Sequence, residues 1–204
     1  LGSKRFADPD FAARTKWFQT TDGLFATPKG NELPTDAQVI GAVDRNAGKQ
    51  SLIMCAAGTM PGALHVLWRA AQGGYHMEYG FSCMGYEIAA GWGCAMAQAG
   101  PGAVGGTPIV MLGDGTYMMM NSDIYSTVLS GHKMIVIVCD NGGYAVISRL
   151  QQFKGVPGFN NLLKDCRIQN AETPLHVTTS RGRFSPYFHA VFPRCISLPP
   201  SSCT

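Results

Sequence analysis

The chain has 204 residues, 46% hydrophobic and 14% charged, with 16 Lys+Arg against 13 Asp+Glu for a formal net charge of +3. That hydrophobic share is enough for a packed core and excludes an intrinsically disordered tail. With no run of Lys or Arg, a net charge of +3 supplies no concentrated footprint for a phosphate backbone, so no nucleic-acid partner is expected.

The long apolar stretches, such as Met134 to Cys139, fall far short of the roughly 20 residues that span a bilayer, so no membrane association is expected. Lys4 and Arg5 are not followed by an apolar segment, which argues against a secretory signal, and a start at Leu1 hints at a fragment or a processed chain. The seven cysteines form no CxxC pair and have no histidine at zinc-finger spacing. Most of them read as buried, reduced thiols of a cytoplasmic protein.

Residues 1–33 mix charged, aromatic, Gly and Pro residues without sustained periodicity and read as a linker or the end of a preceding domain. An ordered pattern begins at Pro34. Residues 36–47 are predicted helical, 51–56 a short buried strand, 61–71 a helix with Pro at its start, and 75–79 a second strand. An Ala-rich helix is predicted over 84–99, packed closely enough to favour small residues. A buried strand over 108–112 ends in Gly113-Asp114-Gly115, a helix follows over 117–130, and the strand 134–139 ends in Asp140-Asn141-Gly142-Gly143.

Continuous apolar strands separated by helix-length segments point to an α/β fold, a parallel sheet flanked by helices on both faces. The domain is expected over residues 34–168, incomplete at its C-terminal end. Residues 169–204 hold five of the twelve prolines, two of the five histidines and a single glycine, with three basic residues against one acidic. No strand-helix rhythm survives there, and the stretch reads as an atypical tail, non-native or disordered.

Ligands of a parallel sheet sit beyond the carboxyl ends of its strands. Gly115 and Asn141 have 25 residues between them, the length of a helix and a return strand, so Asp114 and Asn141 should stand side by side at that edge. A carboxylate, an amide oxygen and a glycine carbonyl, with water and phosphate oxygens, suit a small hard cation such as Mg²⁺. Gly115 leaves room for a phosphate, Thr116 offers a hydroxyl, and the following helix offers free N–H groups. Gly-Asp-Gly alone is also a common turn, and it is the added Asn at this spacing that carries the reading.

Together these residues resemble the signature of thiamine-diphosphate enzymes: Gly-Asp-Gly and, one helix-strand unit later, Asn. The resemblance implies the diphosphate-binding domain of the thiamine-diphosphate-binding fold, with Asp114, Asn141 and the Gly143 carbonyl as Mg²⁺ ligands. It also implies contacts to the cofactor from Gly113, Gly115, Thr116 and Gly142, and from Gly58, Thr59 and Met60 in the turn after the first strand. Met84, thirty positions before Asp114, falls where the family places an apolar prop that bends the cofactor. The main chain at Ser82 would accept from the aminopyrimidine. Read alone, Met84 is an ordinary core methionine.

Within that family the stretch Tyr75 to Glu87, with Gly58 to Gly62, Leu67-Trp68 and Phe153 to Cys166, looks like the trihydroxycyclohexanedione hydrolases of myo-inositol catabolism. The substrate implied is a small cyclic dione opened to 5-deoxyglucuronate through carbon–carbon cleavage and hydrolysis. Ile147 stands where pyruvate decarboxylases carry an acid, and acetolactate-synthase-like enzymes are the alternative. The resemblance places the activating glutamate in another domain, usually of a partner subunit. The full-length enzyme is then expected to be a homo-oligomer, and this chain alone to be inactive, with no catalytic side chain of its own.

His76, Glu78 and Glu87 are candidate substrate contacts, with ordinary loop and helix-edge hydrogen bonding as the other reading. Met118-Met119-Met120 reads as core packing. A Rossmann nucleotide site would need GxGxxG after the first strand, which Ala56 to Gly62 does not supply. A non-catalytic fragment stays open as an alternative.

Overall fold

The structure, a computed structural model, describes residues 10–30, 32–71, 73–101, 105–165 and the strand at 188–191. Its elements run α1 (Phe11–Asp22), α2 (Asp36–Asn46), β1 (Ile53–Cys55), α3 (Thr59–Leu67), β2 (Tyr75–Met77), α4 (Tyr86–Gln98), β3 (Ile109–Gly113), α5 (Asp114–Met119), α6 (Asp123–Leu129), β4 (Met134–Cys139), α7 (Ala145–Phe153) and β5 (Phe188–Val191). The strands form one sheet in the order β2-β1-β3-β4-β5, with every pairing parallel. The chain leaves β1 for β2 on one side and returns to β3 on the other. That reversal opens a crevice at the carboxyl ends of β1 and β3.

Both faces of the sheet are covered, which is why the central strands β1, β3 and β4 are apolar. Ile53, Cys55, Ile109, Met111 and Ile137 pack under Ile40 of α2 and Met60 and Leu64 of α3. Met54, Val110, Leu112, Val136 and Val138 pack under Ile88 of α4, with Ile124 of α6 at the margin. The start of α2 is fixed by a capping box: Thr35 Oγ1 accepts from the Gln38 N–H at 3.3 Å, and Gln38 Oε1 accepts from the Thr35 N–H at 2.9 Å. Gly91 lets α4 lie directly on β3, since a Cβ there would collide with Val110 Cγ2. The expected α/β architecture is observed.

The structure departs from the sequence-based elements in three places. Residues 11–25, within the expected linker, hold α1 and a 3-10 turn docked on the domain. The Arg69 guanidinium lies 4.5 Å from the Phe18 ring centre and 4.9 Å from that of Phe25, and Arg69 pairs with Asp22 at 2.6 Å. The helix expected over 117–130 is two helices. Met120 leaves the helical region, and its side chain fills the space that a Cβ of Gly85 would need. Met118, Met119 and Met120 are 57%, 47% and 45% exposed, so they lie at the surface rather than in the core.

The third departure is β5, which adds to β4 within the stretch where no rhythm was expected. The rest of 169–204 lies outside the described residues. Of the cysteines described, Cys55 and Cys139 are buried, Cys94 is half-buried and Cys83 is exposed. Among the described residues no helix is long and apolar enough to cross a membrane.

Candidate functional site

Asp114 opens α5 directly after β3, and Asn141 lies two residues beyond β4, strands paired through Gly113 and Cys139. The two residues therefore meet: the Asn141 main-chain N–H donates to Asp114 Oδ1 at 3.4 Å. One terminal atom of the Asn141 amide stands 2.8 Å from the Gly143 carbonyl oxygen and 3.2 Å from Asp114 Oδ1, so a carboxylate, an amide and a carbonyl converge. The hydrogen-bond network places the amide nitrogen there, donating to both oxygens, and a half-turn of the amide presents its oxygen instead. With that oxygen turned inward the three groups offer the carboxylate, amide and carbonyl oxygens that suit a small hard cation. Among the described residues no three His, Cys, Asp or Glu side chains cluster as a metal site.

The loop that presents the carbonyl is tightly held. Gly143, at φ 129°, has no room for a side chain, because a Cβ would lie 2.5 Å from the Asn161 carbonyl oxygen. The Tyr144 N–H donates to that oxygen at 2.7 Å, and the Leu163 N–H donates to the Gly142 carbonyl at 2.9 Å. Gly142 also sits at positive φ, and its N–H donates to Asp140 Oδ1 at 2.9 Å. Burial pushes the Asp114 carboxyl above its ordinary range; the Asn141 N–H pulls it back, and Asp140 pushes it further up.

At the end of β1, Gly58 takes φ 123° and ψ −165°, a region open essentially to Gly alone, and its turn aims the first N–H groups of α3 into the crevice. Thr59 is half-buried there. The Met60 side chain is 1% exposed in the core, so only its main chain faces the site. At Gly115 the space a side chain would take is held by the Tyr144 ring, 2.8 Å from a Cβ, and Thr116 is buried. Gly115 thus packs α5 under the loop before α7.

Ser82 and Met84 lie between β2 and α4, in a loop of unusual backbone: Ser82 has φ 52° and Gly85 φ 97°. The Met84 N–H donates to the Ser82 carbonyl at 3.0 Å, and Met84 is half-buried. The neighbouring polar groups bond locally. Nε2 of the exposed His76 meets the Tyr86 hydroxyl at 3.0 Å, Glu78 Oε2 accepts from the Cys83 N–H at 3.3 Å, and Glu87 Oε2 accepts from the Gly85 N–H at 2.9 Å.

A family model described as the thiamine pyrophosphate enzyme, C-terminal TPP-binding domain, matches residues 56–166, more than half of the chain. The chain belongs to the thiamine diphosphate enzyme family. Its cofactor is thiamine diphosphate. A curated 3D-(3,5/4)-trihydroxycyclohexane-1,2-dione hydrolase of Clostridium botulinum (strain Alaska E43 / Type E3) is 36% identical over 140 residues, 68% of this chain and 20% of the relative. The same-named enzyme of Bacillus anthracis (strain CDC 684 / NRRL 3495) is 33% identical over 175 residues, 85% of this chain and 26% of the relative. The chain thus spans about a fifth to a quarter of these relatives' length. The solved Rhodococcus jostii RHA1 thiamine diphosphate-dependent 4-hydroxybenzoylformate decarboxylase shares the fold, with a TM-score of 0.54 at 17% identity over 66% of this chain and 26% of that one.

In this thiamine diphosphate domain, sequence reasoning missed one group. Arg149 of α7 donates from Nη2 to Thr59 Oγ1 at 2.7 Å, which sets a guanidinium at the N-terminus of α3. Arg149 also draws down the carboxyl of buried Asp36, which burial nevertheless raises to about 6. A sequence-based reading would seek the diphosphate's positive partners in the metal and helix N–H groups alone, because the domain is nearly neutral. The signal available was a lone arginine in the helix that follows the Asn141 loop.

Proposed function

We propose that this chain is the Mg²⁺- and thiamine diphosphate-binding part of a hydrolase that opens the ring of a trihydroxycyclohexane-1,2-dione. Convergence of the Asp114 carboxylate, Asn141 amide and Gly143 carbonyl at the sheet's carboxyl edge carries the reading. Those three groups would hold Mg²⁺ through their oxygens, and its charge would offset that of a diphosphate at the same edge. Gly58, the N–H groups of Thr59 and Met60, and the main chain of Gly113, Gly115, Thr116 and Gly142 form the diphosphate cradle, and Met84 with the Ser82 main chain receives the aminopyrimidine end. When bound, thiamine diphosphate supplies the carbon nucleophile and electron sink for carbon–carbon cleavage.

These residues bind, orient and exclude water. The reading gives them no proton-transfer step; the activating glutamate comes from a separate segment, in a homo-oligomer with sites between subunits. The substrate follows from the hydrolase-named relatives. A thermal-shift titration with thiamine diphosphate and Mg²⁺ tests the reading: the 204-residue protein should be stabilised only when both are present, and Asp114→Ala should abolish the effect. No shift at millimolar concentrations of both, or an undiminished shift in Asp114→Ala, overturns it. Ring opening by the purified chain alone overturns the assignment of the glutamate elsewhere.

A further inference from the structure

Glu87 is the second residue of α4 and is 0% exposed. An acid in the first turn of a helix normally faces water and the free N–H groups there. This one turns inward. Its Oε2 accepts from the Gly85 N–H at 2.9 Å, and its Oε1 is buried with no hydrogen-bond partner. The Ala56 and Ala57 N–H groups, which lead from β1 into Gly58 and Thr59, favour charge on this carboxyl, although neither closes a hydrogen bond on Oε1; burial outweighs them and holds it above the usual range.

The surroundings show why a polar group is kept there. The loop from Tyr79 to Gly85 carries Ser82 and Met84 on a backbone with two positive-φ residues, and two glutamates grip it: Glu78 through the Cys83 N–H and Glu87 through the Gly85 N–H. Of the two, only Glu87 lies on a helix, α4, whose Ile88 packs against Met54 of β1, the strand that runs into the diphosphate turn. A buried carboxyl with one oxygen unpartnered is costly, and a leucine would fill the volume without that cost.

We propose that Glu87 is a positioning residue of the cofactor site, a buried strut that sets the distance between the Met84 loop and the Gly58–Thr59 turn, so that one cofactor molecule spans both. This rests on the thiamine diphosphate reading above. It makes a distinction that general destabilisation does not. Thiamine diphosphate touches both loops, whereas inorganic diphosphate with Mg²⁺ touches only the diphosphate turn.

The test compares the dissociation constants of these two ligands, each with Mg²⁺, for the 204-residue protein and its Glu87 variants by calorimetry. Glu87→Leu should weaken thiamine diphosphate about tenfold or more and leave inorganic diphosphate within about threefold. Glu87→Ala is read in the same way where the leucine variant does not fold. Glu87→Gln keeps an oxygen for the Gly85 N–H and should recover thiamine diphosphate binding to within about threefold of the parent. Equal loss of both ligands, no loss of either, or a glutamine variant no better than leucine overturns the proposal. Failure of the parent protein to bind either ligand overturns instead the cofactor reading on which it rests.

Discussion

Arg149 Nη2 donates to Thr59 Oγ1 at 2.7 Å, joining the helix after the Asn141 loop to the helix after β1 across 90 positions of sequence. The contact places a fixed positive charge where the α3 N–H groups already favour an anion. Arg149→Met should weaken inorganic diphosphate with Mg²⁺ about tenfold, as expected for one charge-assisted contact, and Arg149→Lys should recover part of it. Calorimetry at low and high salt checks this, with the gap between parent and Met variant narrowing as salt rises. An unchanged affinity in Arg149→Met would leave Arg149 a purely structural partner of Thr59.

Asp36 beside Arg149 gives a prediction that needs no ligand. Its carboxyl titrates near 6 in the folded protein, mainly through burial, against an ordinary value of 3.8. The folded state therefore holds this proton more tightly than the unfolded chain does. Stability from this group is complete below about pH 4 and is lost as the pH rises through 6. Asp36→Asn, neutral throughout, should be more stable than the parent at pH 7, by an amount on the order of 1–3 kcal/mol, and the two should converge near pH 4. Denaturation curves at both pH values decide it; a variant less stable at pH 7 means that the attraction of Arg149 outweighs burial.

The Asn141 amide is the neutral side chain of the cluster, and its neutrality matters beside an acid whose carboxyl is already pushed up. Asn141→Asp would set a second carboxylate about where a terminal atom of the amide stands 3.2 Å from Asp114 Oδ1. Without metal the variant should melt lower than the parent at pH 7, by about 5 °C, and Mg²⁺ should raise it more than it raises the parent. Scanning with and without Mg²⁺, and with a chelator, measures both differences. Equal response to Mg²⁺ in parent and variant would exclude this cluster as the cation site.

What could be read from the sequence was local to strands and their ends. Met134–Cys139 is a strand in sequence and structure alike because every residue of it is apolar, and the motif residues Asp114 and Asn141 meet because β3 and β4 are neighbours in register. Arg149 was not legible, since its approach to Thr59 depends on how α7 crosses the crevice. The break at Met120 had a sequence signal that was passed over, the turn- and cap-forming Asn121-Ser122-Asp123, while the packing of Met120 on Gly85 is tertiary. Helix α1 shows no apolar stripe; it is held by Arg69 stacked on Phe18 and Phe25, a contact across about 50 residues. Glu87 reads in sequence as a candidate substrate contact or a helix-edge acid, and only tertiary structure shows it buried.

Helix α4, which carries Glu87, also contains two glycines whose substitution should have opposite signs. A Cβ on Gly91 would strike Val110 Cγ2 and come within 3.3 Å of Met134 Sδ, and Val110 is a stiff β-branched residue in the middle of the sheet. Gly93 faces outward with nothing within 4 Å of its Cβ position. Gly93→Ala should stabilise by about 0.5–1 kcal/mol, the ordinary gain of alanine over glycine in a helix. The same gain is available at 91, yet forcing a methyl group between α4 and β3 costs about 1–3 kcal/mol, so Gly91→Ala should be destabilising overall. Urea denaturation of the two variants compares them within one helix. If both stabilise, α4 can move away from the sheet, and the close approach that seats Glu87 beside the end of β1 is softer than its small residues imply.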